Sequence, residues 1–182
     1  MDIAANREMI WKRIEDGGPT SVVVSSGDEM SFATTQLLKE YEKELSSNQV
    51  IPVRIICKQN DDPVEFFKSI FYTIWKLMPP QFEGHAQIFK DLIDMAQETS
   101  SIDSILEKYL PLVKKQMNLN ILLVLENFDV FVSHQDESDL MKVRGMAAHV
   151  NILTISRKML KTLASENNQE EYFCNQFKAY TV

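Results

Sequence analysis

Apolar strand-like runs that alternate with amphipathic segments predict an α/β protein, a mostly parallel three-layer sheet of about five strands flanked by helices. Two observations carry this. Ile121 to Leu125 is an unbroken apolar run closed at once by Glu126-Asn127-Phe128-Asp129, the pattern of a strand buried on both faces. Similar runs occur at 21–25, 50–56 and 151–156, each separated from the next by helix-period sequence. In open sheets of this kind, ligands sit beyond the carboxyl ends of the strands, so Glu126, Asn127 and Asp129 are the first place to look for chemistry.

The elements follow in order. Met9, Ile10 and Ile14 recur at helical spacing, and Asp16-Gly17-Gly18-Pro19 ends that helix in a turn. Ser21-Val22-Val23-Val24-Ser25 is a β-branched run suited to a central first strand, followed by the loop Ser26-Gly27-Asp28-Glu29. Thr34, Leu37, Leu38, Tyr41 and Leu45 then share one helical face. Val50 to Ile56 is the second strand, and Pro52 places it at a sheet edge or delays its start. Asp62-Pro63-Val64-Glu65 is a helix start, with a capping carboxylate and a proline at the first helical position. Two more amphipathic segments fill a helical insertion at about 79–118, where Pro111 is expected to kink or divide the second. After the third strand come a polar loop, Ser133 to Ser138, a helix near Asp139 to Ala148, and a fourth strand, Asn151 to Ser156. The segment from Met159 to Phe177 reads as an interrupted helix. Lys178 to Val182 begins a fifth strand, which suggests that residues 1–182, read as one domain, are cut from a longer chain.

With 45% hydrophobic and 25% charged residues, the chain has the composition of an ordinary globular protein. A net charge of −7 and scattered Lys and Arg argue against nucleic acid, because phosphate binding needs a basic patch. No run approaches a membrane span and no signal peptide is present, so the expected location is cytoplasmic, with no membrane partner. Cys57 and Cys174 match no metal or redox spacing and read as reduced thiols. His85, His134 and His149 have no metal-ligand spacing. Of the aromatic run Phe66, Phe67, Phe71, Tyr72 and Trp75, most belongs to a core, but it holds more rings than one helix face can take. Phe66, Tyr72 or Trp75 is left to face a partner.

A phosphate-cradling loop needs G-x-x-x-x-G-K-[ST] between strand and helix: glycines let backbone N–H groups close on the phosphates, Lys neutralises them and the hydroxyl holds magnesium. Gly27-Asp28-Glu29-Met30-Ser31-Phe32-Ala33-Thr34 has that length in that setting, with Phe32 at the second glycine and Ala33 at the Lys. Here the chain resembles the AAA+-like P-loop ATPases, particularly their signal-transduction (STAND) and origin-recognition branch. Five segments in order carry the resemblance. Asn6-Arg7-Glu8 is similar to the branch's Gly-Arg-Glu motif, and 27–34 to its Walker A loop. Glu126-Asn127-Phe128-Asp129 is similar to the Walker B segment, Thr154-Ile155-Ser156-Arg157 to the sensor-1 strand end, and 172–177 to the approach to the last strand.

The resemblance implies strand order 5-1-4-3-2, ATP or ADP with magnesium as cofactor, and binding residues Gly27, Thr34, Thr35, Glu126, Asp129 and Arg157, with Thr34 and Glu126 at the metal. The departures weaken this site. Two unit charges near 4 Å interact by roughly 4 kcal/mol at an effective dielectric of about 20, so replacing Lys by the carboxylates of Asp28 and Glu29 removes triphosphate affinity. Asn127 stands where a Glu would polarise the attacking water, and an amide cannot accept that proton. No catalytic residue is therefore assigned. The expected function is a degenerate nucleotide-binding fold with weak or absent hydrolysis, acting as a regulatory or protein-interaction module for a protein partner or further domains. The alternative is an ATPase domain that still binds ATP or ADP, with a Lys or Arg from elsewhere as its cation. The bland readings stay open: Glu126 and Asp129 as loop-holding groups, Thr34 and Thr35 as helix caps. If the loop keeps its cradle shape, Phe32→Gly with Ala33→Lys would restore nucleotide binding.

Overall fold

A computed structural model describes residues 6–24, 30–59, 62–78, 80–117, 120–166 and 177–181. Its strands are β1 (Thr20–Val23), β2 (Val50–Ile56), β3 (Asn120–Glu126), β4 (Asn151–Ser156) and β5 (Lys178–Thr181). All pair in parallel, in the order β2-β3-β4-β1-β5. Read from the other edge this is 5-1-4-3-2, as the resemblance implies. The short segment at 178–181 pairs with β1 as the fifth strand.

β3 lies inside this sheet with every residue from Ile121 to Glu126 buried. Its side chains alternate between two cores: Ile121, Leu123 and Leu125 enter one, Leu122 and Val124 the other. The smaller core is closed by α1 (Arg7–Glu15), α2 (Met30–Glu40) and α3 (Glu42–Ser47). The larger core is closed by α4 (Pro63–Lys76), α5 (Glu83–Met95), α6 (Thr99–Met117), α7 (Phe128–His134), α8 (Glu137–Met146) and α9 (Leu160–Glu166). Helices on both faces cover the central strands, which is why those strands carry apolar runs rather than alternation.

Local chemistry explains most boundaries. Asp62 accepts from the Glu65 N–H at 3.1 Å with Pro63 in the first turn of α4, the start read from the sequence. Asp136 caps α8 through the Asp139 N–H at 3.0 Å. Pro52 lies on the edge strand β2 and is exposed, where its missing N–H costs no ladder bond. Three expectations need correction. The helix expected through Tyr41 is two helices, α2 and α3, because Tyr41 leaves α2 with its ring buried and its hydroxyl donating to the Arg7 carbonyl at 3.0 Å. Burial pushes that phenol's pKa up. α6 runs from Thr99 to Met117 through Pro111, and the carbonyl that Pro111 leaves unpaired belongs to Glu107, an exposed residue open to water. α7 forms directly after β3, where no helix is legible before the polar loop, since Phe128, Phe131 and Val132 fold back onto the larger core.

The aromatic residues are mainly core. Phe66 is 3% exposed and stacks near Phe131 at 4.2 Å. Tyr72 and Trp75 are half-buried and meet edge-on at 6.4 Å, with the Tyr72 hydroxyl donating to Asp94 of α5. Cys57 is buried; Cys174 lies outside the described residues. Among the described residues, no helix is long and apolar enough to cross a membrane. Because Leu123 is fully buried in the larger core, Leu123→Ala is expected to cost about 2–5 kcal/mol, read as a lower urea midpoint at unchanged slope.

Candidate functional site

The carboxyl ends of β2 and β3 and the first turns of α2 meet at one place. Glu126, the last residue of β3, is 1% exposed. It follows Leu122 and Val124 in the alternation of β3, so its side chain lies on the α2 face of the sheet. A carboxylate this buried needs a partner. The partner is Arg54 of β2.

Arg54 sits opposite Val124, two residues before the Ile56–Glu126 pair, and its side chain runs along the same face toward the strand ends. Its Nε donates to Glu126 Oε1, and its Nη2 donates to Glu126 Oε2 at 3.1 Å. The outer edge of the guanidinium reaches α2: Nη2 donates to the Ser31 carbonyl at 3.0 Å and to Ser31 Oγ at 2.8 Å, and Nη1 to Thr35 Oγ1 at 3.2 Å. One planar cation therefore ties three elements together with its fork of donors.

The residues singled out from the sequence fall around this fork. Thr35 joins it directly. Thr34 is fully buried, and its hydroxyl donates to the Met30 carbonyl at 3.0 Å; the Thr35 hydroxyl likewise donates to the Ser31 carbonyl at 2.8 Å. Both are back-bonded within α2 rather than capping it. Asp129 lies in the first turn of α7, and its buried Oδ1 has no hydrogen-bond partner among the described residues. Arg157 is exposed just past β4, while the Ser156 hydroxyl donates to the Lys158 carbonyl at 2.9 Å. Gly27 lies outside the described residues, as do Asp28, Glu29 and 172–176.

Three positions bear on the phosphate-loop motif. α2 already begins at Met30, so Ala33, at the motif's Lys position, points into the smaller core at 1% exposure. An ammonium there would enter an apolar layer, which weighs against Ala33→Lys restoring a phosphate contact. Phe32 at the second-glycine position is 57% exposed. Asn127 has φ 53 and ψ 37, a left-handed backbone that Asn adopts more readily than Glu.

The residues present do not fit a magnesium ion as arranged. Magnesium in P-loop sites is held by the loop hydroxyl and the Walker B carboxylate. Here both oxygens of Glu126 face the Arg54 guanidinium, and the Thr34 hydroxyl is buried against its own helix. The sequence reading missed Arg54. Its signal was a single charged residue within the otherwise apolar run Val-Ile-Pro-Val-Arg-Ile-Ile.

The sheet order and the helices on both faces are those that the resemblance to the AAA+-like P-loop ATPases implies. No protein-family model matches the sequence, and no curated protein matches it significantly. Solved structures do. The chain is similar to the Aeropyrum pernix ORC1 protein in complex with DNA, with a TM-score of 0.64 and 12% identity over 99% of this chain. It is also similar to Drosophila ORC bound to DNA, with a TM-score of 0.50 and 5% identity over 98% of this chain. The chain spans 44% of the length of the archaeal protein and 28% of the Drosophila one. These neighbours overturn the expectation of no nucleic-acid partner. Net charge averages over a whole surface, and proteins of this fold were solved with DNA bound.

Removing the guanidinium leaves a buried carboxylate unpaired, whereas an amide at 126 keeps acceptor capacity without the charge. Arg54→Ala is therefore expected to cost about 3 kcal/mol and Glu126→Gln distinctly less, as compared by urea denaturation.

Proposed function

We propose that this chain is an AAA+ module whose architecture no longer depends on nucleotide, serving as a regulatory or protein-interaction scaffold without ATP hydrolysis. The observation that carries this reading is the Arg54 fork, which fills with a protein cation the place between helix hydroxyl and strand-end carboxylate. Ala33 facing the core and Asn127 in a left-handed conformation support it, since the phosphate cation and the water-activating carboxylate are both replaced. The partner of such a module is another protein or a further domain.

The test is thermal unfolding with and without nucleotide. A ligand at about 100 times its dissociation constant stabilises by about 2.7 kcal/mol, a shift readily seen in Tm. Millimolar Mg-ATP or Mg-ADP is expected to leave the Tm unchanged. A rise of several degrees would replace this reading with the alternative, an ATP- or ADP-binding domain.

The DNA-bound archaeal neighbour supports placing the module in an assembly that engages DNA. Titration of a fluorescein-labelled duplex with this chain is expected to raise its anisotropy at low salt and to lose that rise as salt increases. No binding at low salt would remove DNA from the reading.

A further inference from the structure

We propose that the Arg54 guanidinium is the resident cation of the site, a constitutive substitute for a divalent ion, which locks α2 onto the end of β3 whether or not any ligand is present. The inference rests on the nucleotide-independent reading above and goes beyond it, because it assigns the lock to one side chain and predicts a latent divalent-cation site beneath it.

In a P-loop site the metal joins a hydroxyl of the helix to a carboxylate at the end of a neighbouring strand. Arg54 joins the same kinds of group: Ser31 Oγ at 2.8 Å and Thr35 Oγ1 at 3.2 Å on α2, and both oxygens of Glu126 on β3. A metal ion leaves with its ligand, but a side chain cannot. Arg54 is anchored in β2 beside β3 through an unbroken parallel register from Val50–Asn120 to Ile56–Glu126, so its reach to Glu126 is built into the sheet. At 1% exposure Glu126 has little access to solvent cations while the guanidinium is in place. Take the guanidinium away, and a carboxylate with two hydroxyls on the facing helix remains. These are hard oxygen donors suited to magnesium, which keeps several of its own waters.

Three proteins decide the matter, all studied without nucleotide: the wild type, Arg54→Ala, and Arg54→Ala with Glu126→Gln. The Tm of the wild type is expected to ignore millimolar magnesium or manganese. Arg54→Ala should melt lower, show amide exchange at 30–36 faster by about tenfold or more, and recover both properties when either metal is added. The double variant should melt higher than Arg54→Ala, because no unpaired charge is buried, and should give no metal response. A metal-blind Arg54→Ala, or an equal response in the double variant, would overturn the proposal while leaving the nucleotide-independent reading intact; a wild-type response to Mg-ATP would instead sink that reading. Should Arg54→Ala not fold, Arg54→Lys serves. A single ammonium holds Glu126 but cannot span to both Ser31 and Thr35, so exchange at 30–36 should rise while β3 stays protected. Wild-type exchange at 30–36 in that variant would refute the lock.

Discussion

A carboxylate at the end of a strand with no exposed face must find a positive charge close by, and much of this molecule follows from how that requirement is met. β3 has neighbours on both sides in the sheet and a core on each face, so Glu126 at its end has little water to turn to. An isolated buried carboxylate is costly enough that it would rather be neutral than charged. The fold answers with a guanidinium from the next strand, half-exposed itself, whose remaining donors are spent on α2. A bidentate fork suits this position better than an ammonium, because it satisfies two carboxylate oxygens and still has N–H groups for a second element.

The same answer changes what the strand end can do. A site that binds and releases a metal–nucleotide complex needs a carboxylate whose charge is free for part of the cycle. Here the charge is neutralised within the fold, and the helix that would carry the phosphates is tied to it. The opposite end of α2 is fastened as well: Arg7 donates to the Glu40 carbonyl at 2.7 Å and to Glu44 at 2.6 Å, with Tyr41 donating back to the Arg7 carbonyl. The Asn6 amide donates to Thr181 on β5 at 3.1 Å. The segment that resembles the Gly-Arg-Glu motif thus works here as a clamp on the turn between α2 and α3. Both ends of α2 are held by arginine side chains.

The fold was legible in the sequence because its signals are local. Branched apolar runs mark buried strands, the Asp62-Pro63 pair marks a helix start, and the spacing between runs leaves room for crossovers. What escaped were features that local pattern does not carry. The apolar periodicity passes straight through Tyr41, so the break between α2 and α3 shows only once the Arg7 carbonyl is in place to receive the hydroxyl. The rings of Phe128 and Phe131 look like part of a loop until the larger core closes around them. In the site, Glu126 was visible as an acidic residue ending a buried run, but its counter-ion stands 72 positions earlier in the chain. Only the pairing of β2 with β3 brings the two together, and nothing local to Arg54 announces it.

The acidic net charge was the least informative signal, for a related reason. A total of −7 says how charges sum, whereas recognition depends on where they lie. Of the arginines, Arg7 and Arg54 are turned inward on carbonyls and carboxylates. They act as structural cations, each paired with a carboxylate of the fold. A count of Lys and Arg thus mixes groups that organise the fold with groups available to a partner, and separating them requires the hydrogen-bond partners of each. That separation makes Arg54 intelligible: by composition it is one of 19 basic residues, and by geometry it is the charge on which the end of β3 depends.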